Sequence, residues 1–108
     1  MSRSIRVLYV DDEPQSLDVI PNRCEAVSEL RFETEPHPRS VVDQLHDDLD
    51  CLITDYRMPT MDGIELLEAV SEQRPDLPIL LLTGHGGGEI ASEALQKGAT
   101  EYMEKSTA

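Results

Sequence analysis

The sequence predicts an α/β fold with a parallel sheet, and three observations carry that expectation. Short apolar runs stand at 5–10, 51–54 and 79–82, and segments with apolar residues three or four apart lie between them. Each run stops abruptly at acids or at a threonine. Strands alternating with helices pair in parallel, and right-handed crossovers limit the strand orders. A chain of 108 residues has room for one compact domain.

The elements follow in order. IRVLYV (5–10) reads as a buried strand that meets Asp11, Asp12, Glu13 and Pro14. A helix starts at Pro14 or Gln15, proline being suited to the first turn. Its Leu17, Ile20, Cys24, Val27 and Leu30 share one stripe. Pro21 interrupts that stripe, and a proline in a helix interior costs about 3 kcal/mol, which predicts a kink or a restart. RFETE (31–35) is polar and closes at Pro36 and Pro38, as an edge strand does. Ser40 to Leu45 reads as a short helix with Val41, Val42 and Leu45 inward. CLIT (51–54) is a continuous apolar run ending at Asp55. Asp62 caps a third helix whose Ile64, Leu67 and Val70 share a face, and Pro75 and Pro78 end it. ILLL (79–82) is another buried strand, ending at Thr83. Residues 84–88 form a loose loop, Glu89 to Lys97 a fourth helix, and Gly98 its stop. TEYME (100–104) is the last strand, ending at Lys105.

Composition narrows the function. Apolar residues make up 39% and charged residues 29%, enough for a modest core. The formal charge is −13, and affinity for phosphate backbones rests on clustered Lys and Arg, so direct nucleic-acid binding is excluded as the main activity. An anionic membrane is disfavoured for the same reason. Only Lys97 and Lys105 stand against seven arginines, a lysine-poor acidic balance that resembles salt-adapted proteins. Two readings fit: an ordinary acidic surface, or one whose self-repulsion is quenched in about 1 M salt, where the Debye length is roughly 3 Å. A stability that climbs steeply with KCl selects the second. Cys24 and Cys51 lack metal-ligand spacing and read as reduced, buried thiols. No signal-peptide core precedes Asp11 and no run reaches spanning length, so a soluble, cytoplasmic protein is expected.

The alternation places reactive groups at the carboxyl ends of four strands: Asp11 and Asp12 after the first, Asp55 at the third, Thr83 at the fourth and Lys105 at the fifth. Open parallel sheets form their sites there, where strand order reverses. With order 2-1-3-4-5, that point lies between strands one and three, so Asp11, Asp12 and Asp55 converge. At an effective dielectric of about 20, two unit charges about 4 Å apart repel by roughly 4 kcal/mol, so the carboxylates need a cation or raised pKa values. All-oxygen ligands with a hydrated shell suit Mg²⁺. One lysine and one threonine hydroxyl provide a point charge and a donor for a phosphoryl group. The set reads as Mg²⁺-assisted phosphoryl chemistry with a carboxylate nucleophile.

The segments VLYVDDEP (7–14), TDYRMPTMDG (54–63), LLTGHG (81–86) and EYMEKS (101–106), in this order and spacing, resemble the receiver domain of two-component response regulators. The resemblance spans essentially the whole chain and implies a flavodoxin-like three-layer sandwich, with a five-stranded parallel sheet of order 2-1-3-4-5. It also implies that Asp55 accepts a phosphoryl group from a phosphohistidine on a histidine kinase or phosphotransfer protein. Asp12 would bind Mg²⁺ directly, Asp11 through water, and the backbone carbonyl of Arg57 would complete the protein ligands. Thr83 and Lys105 would hold phosphoryl oxygens. Thr83 and Tyr102 would form a switch pair that alters a protein-binding surface for a downstream effector. Arg57 and His85 sit where family members vary and tune dephosphorylation. Met58, Met61 and Met103 read as packing, and His37, His46 and His85 as solvated.

Three features depart from the family pattern. Ser106 follows Lys105 where proline, commonly after a cis bond, is usual; before a non-proline residue that bond costs about 2.5–4 kcal/mol in cis. Pro21 is unusual in the first helix. The fifth helix is absent, so residues 1–108 are expected to form a single receiver domain cut short before it.

Several rivals stand beside this reading. A receiver-like interaction module without phosphoacceptance is one, although Asp12, Asp55, Thr83 and Lys105 are all present. An aspartyl-phosphate phosphatase needs its second acid two positions after the nucleophile, whereas here the acids are adjacent. An FMN binder of the same sheet type wants a Ser/Thr/Gly-rich loop where this chain has acids. HGGG (85–88) resembles an esterase oxyanion loop, but no G-x-S-x-G elbow exists.

Overall fold

Five short strands pair in parallel in the order β2-β1-β3-β4-β5, as a computed structural model shows for residues 4–84 and 88–105. They are β1 (Ile5–Val10), β2 (Leu30–Glu35), β3 (Cys51–Thr54), β4 (Ile79–Thr83) and β5 (Glu101–Glu104). The helices between them are α1 (Pro14–Arg23), a 3-10 helix (Pro38–Gln44), α2 (Gly63–Gln73) and α3 (Gly88–Gln96). β1 occupies the sheet centre with β3, pairing Val7 with Phe32 on one side and Cys51 on the other.

Side chains alternate across a strand, so the register sorts the residues into two faces. Leu8, Val10, Leu52, Ile79 and Leu81 lie on one face, inside a buried cluster with Ile64, Leu66, Leu67 and Val70 of α2, Val41 of the 3-10 helix and Ala94 of α3. Tyr9, Ile53 and Leu80 pair across the opposite face, where α1 lies with none of its residues buried.

Local chemistry explains most element ends. Asp62 accepts the Glu65 N–H at 2.8 Å while the Glu65 carboxylate accepts the Asp62 N–H at 3.0 Å, a reciprocal cap that starts α2. Gly98 has φ 117°, a left-handed position that stops α3 at little cost to glycine. Arg74, just past α2, donates to the carbonyl of His46 at 2.9 Å and ties the helix end to the connection before β3.

Some expectations are corrected. The first helix ends at Arg23, well before Leu30, which instead opens β2, while Val27 is 48% exposed. Pro21 lies within the last turn of α1, which ends two residues later at Arg23. The segment after Pro36 is a 3-10 helix from Pro38, with Val41 buried but Val42 and Leu45 only partly so. Cys24 and Cys51 are free and half-buried rather than buried, and burial followed by the Asp50 charge pushes the Cys51 thiol up. Met58 and Met61 pack with the core, but Met103 on edge strand β5 is 51% exposed. His37 is exposed, whereas His46 lies 3.2 Å from a Glu33 carboxylate oxygen. Among the described residues, no helix is long and apolar enough to cross a membrane.

Candidate functional site at the carboxyl ends of the strands

Parallel pairing extends one step beyond the strands and thereby fixes the acids. The Asp11 N–H bonds the Glu35 carbonyl at 3.2 Å, and the Asp55 N–H bonds the Val10 carbonyl at 2.9 Å. The Lys105 N–H bonds the Thr83 carbonyl at 2.8 Å, locking the ends of β4 and β5 together. Carboxylate oxygens of Asp11, Asp12 and Asp55 consequently lie within 4.8 Å of one another. Asp11 and Asp55 are buried and Asp12 is partly exposed, so the group opens to solvent on the Asp12 side.

Both carboxylate oxygens of Asp11 have partners. Oδ2 accepts from the Tyr9 hydroxyl and from Lys105 Nζ, each at 2.7 Å, and Oδ1 accepts from the Glu13 N–H at 3.0 Å. Lys105 Nζ also lies 3.6 Å from Asp55 Oδ2 and donates to Ser16 Oγ at 3.3 Å. Asp55 Oδ1 accepts from the Tyr56 N–H at 2.8 Å, and Oδ2 lies 3.6 Å from Lys105 Nζ.

The electrostatics follow from this crowding. Burial first, then the Asp11 charge, push the Asp55 carboxyl up to about 6, against the charge of Lys105, the Tyr56 N–H and the Lys105 hydrogen bond. Burial pulls the Lys105 ammonium down, but its bond to Asp11 and the charges of Asp55, Asp11 and Glu13 raise it overall. Burial also raises the Tyr9 phenol far above its ordinary range, with its bond to Asp11 and the two carboxylate charges adding to the rise and Ser16 opposing it. Tyr9 is therefore a neutral donor at any physiological pH.

Two cavities flank the acids. One of about 240 Å³ is lined by Glu13, Ser16, Asp55, Arg57, Thr83, Gly84 and Lys105. The other, about 510 Å³, opens beside Asp12, Tyr56, Arg57, Met58, Pro59 and Asp62. Arg57 borders both, and its side chain is exposed. Thr83 is buried at the end of β4. Tyr102 packs against the core cluster, and its hydroxyl is buried with no partner among the described residues. The expectations for His85 and for the Lys105–Ser106 bond lie outside the described residues.

Three residues essential to this geometry carry no chemical signal in the sequence. Gly63 sits so close beneath Asp55 that a Cβ there would collide with the Asp55 carbonyl and approach the Leu81 side chain to 2.7 Å. Its glycine within the D-G step is the only hint. Tyr9 sits within an apolar strand run and Ser16 within a helix turn. Their hydroxyls meet the site only because β1 and α1 converge on Lys105.

A doubly wound parallel sheet of order β2-β1-β3-β4-β5, with three acids, a threonine and a lysine at the carboxyl rim, defines a class, the flavodoxin-like α/β folds. More specifically, residues 7–108 match the response regulator receiver domain, and the chain belongs to that family. Its sequence is 35% identical over 101 residues to the C4-dicarboxylate transport transcriptional regulatory protein DctD of Pseudomonas aeruginosa, covering 93% of this chain and 22% of that protein. The DNA-binding transcriptional regulator NtrC of Escherichia coli is 32% identical over 100 residues, covering 92% of this chain and 21% of NtrC. The chain thus spans about a fifth of the length of these curated relatives. Among solved structures, a receiver domain from Clostridium thermocellum superposes with TM-score 0.85 at 27% identity, covering 96% of this chain and 84% of the other. The Vibrio cholerae chemotaxis protein CheY4 gives TM-score 0.85 at 28% identity, with coverages of 97% and 89%.

Proposed function

We propose that residues 1–108 act as a single phosphoacceptor unit of a two-component relay, with Asp55 as the acceptor. The observation that carries this reading is the position of Asp55: buried at the rim, beside two further carboxylates and within 3.6 Å of an ammonium, with a cavity in front of it.

The acid set fits Mg²⁺: its donors are all oxygens, it is open on the Asp12 side, and the Asp55 carboxyl is pushed up in a way that a divalent charge would relieve. Asp12 and Asp55 would hold the ion directly with the Arg57 carbonyl. Asp11, whose oxygens already have protein donors, would act through water. The ion supplies charge neutralisation at the phosphoryl oxygens and at the acids.

The chain's own residues account for the rest. Asp55 Oδ2 attacks the phosphorus of a phosphohistidine on a histidine kinase or phosphotransfer protein. An O–P bond forms, the N–P bond breaks, and the imidazole leaves with the bonding pair. Lys105 and Thr83 line the same cavity and stabilise the charge on the transferring oxygens. Arg57, exposed at its mouth, and His85 control water access and hence lifetime. The new charge of about −1.5 to −2 draws Thr83 and Lys105 inward, and Tyr102 repacks with Thr83, altering the surface offered to a downstream effector. The product is a binding state, with no turnover of an external substrate. A cytoplasmic setting and salt adaptation of the acidic surface complete the proposal.

Intact mass after incubation with Mg²⁺ and acetyl phosphate tests it. The wild type gains one phosphoryl mass and Asp55→Asn gains none. No adduct at any salt concentration favours the silent interaction module, and hydrolysis of a phosphoester in multiple turnovers favours the phosphatase.

A further inference from the structure

Lys105 has two jobs that compete. In the resting geometry its ammonium neutralises Asp11 Oδ2 at 2.7 Å and stands off Asp55 at 3.6 Å. To hold a phosphoryl oxygen on Asp55 it must give up part of its hold on Asp11. Asp11 is fully buried, and a buried carboxylate oxygen stripped of its donors carries a large penalty. Left with Lys105 alone, Asp11 would act as a trap for the cation.

Tyr9 removes that trap. Its hydroxyl donates to the same Oδ2 atom at 2.7 Å, from a side chain that is itself fully buried, in a strand paired on both sides. Ser16 Oγ, 3.3 Å from Lys105 Nζ, faces the same cavity as Asp55 and Thr83 and gives the moving ammonium a second acceptor. We infer that Tyr9 is a positioning residue whose hydroxyl keeps the buried Asp11 oxygen paired when Lys105 transfers to the phosphoryl group. The inference rests on the phosphoacceptor reading above.

The chain has only two lysines, Lys97 and Lys105, so lysine side-chain carbon labelling gives two NMR signals, assigned with Lys97→Arg. Beryllofluoride with Mg²⁺, a phosphoryl mimic, is titrated into wild type and Tyr9→Phe. In the wild type the Lys105 signal moves on saturation. Tyr9→Phe should need about tenfold more beryllofluoride, about 1.4 kcal/mol of lost affinity. The same substitution in a Lys105→Met background, followed by calorimetry, should change the affinity less than twofold, because no ammonium then leaves Asp11 Oδ2 on binding. A merely structural role for Tyr9 predicts equal losses in both backgrounds. Equal losses, or no loss in the first, overturn the inference while leaving the phosphoacceptor reading intact. A wild type that binds no beryllofluoride overturns both.

Discussion

On one face of the sheet, Leu8, Val10, Leu52, Ile79 and Leu81 are sealed under α2, α3 and the 3-10 helix. On the other, Ile53 and Leu80 are only partly buried, Met103 is 51% exposed and α1 buries nothing completely. Burial of a large aliphatic side chain stabilises by roughly 1.5–3 kcal/mol, so the first face carries most of the stability. The site draws on both. The main chain of Asp55 is braced from the sealed face by Gly63, which abuts its carbonyl. Tyr9 and Ser16, the hydroxyls around Lys105, come from the other side. Rigid support thus lies under the group that must hold its position.

The largest break in this contrast is expected from Leu67→Ala in α2, buried at the centre of the sealed cluster. It should cost about 3–4 kcal/mol by urea unfolding, within the range for cavity-forming core substitutions. Gly63→Ala should cost roughly 2–3 kcal/mol, because the added methyl meets backbone that cannot yield, and it should lower phosphoryl acceptance as the Asp55 loop shifts.

Asp55→Asn should act in the opposite direction. A carboxyl raised from 3.8 to about 6 on folding contributes stability that is present below pH 4 and lost as pH rises through 6. In metal-free protein the asparagine variant should therefore be more stable than wild type by roughly 2–3 kcal/mol at pH 7.5 and gain nothing at pH 4. Thermal unfolding across that range checks it. The same shift predicts that Mg²⁺ binding near pH 6 releases protons, so its apparent affinity should rise from pH 5 to 7, measured by calorimetry in two buffers of different ionisation heat. The smallest effect is expected on the open face, where Val19→Ala in α1, 43% exposed, should cost under about 1 kcal/mol.

Much of this arrangement was legible from residue order alone. β1, β3 and β4 are short, mostly apolar runs that stop at the acids or the threonine, so strand ends and site residues are marked by the same boundary. The Asp62 cap was legible because its chemistry is local. α1 misled because the three-to-four stripe continues to Leu30, yet the helix stops at Arg23, two residues after Pro21. Tyr9, Ser16 and Gly63 were hidden for a different reason. Each looks ordinary in its own element, and only the meeting of β1, α1 and α2 at one rim gives it a role.

The central claim is that Asp55 itself takes the phosphoryl group, and one measurement meets it directly. After reaction with acetyl phosphate and Mg²⁺, borohydride reduces an aspartyl phosphate to homoserine, which peptide mass mapping locates. The account predicts homoserine at position 55, absent without Mg²⁺. Homoserine at another acid, or none in a folded protein, would contradict it.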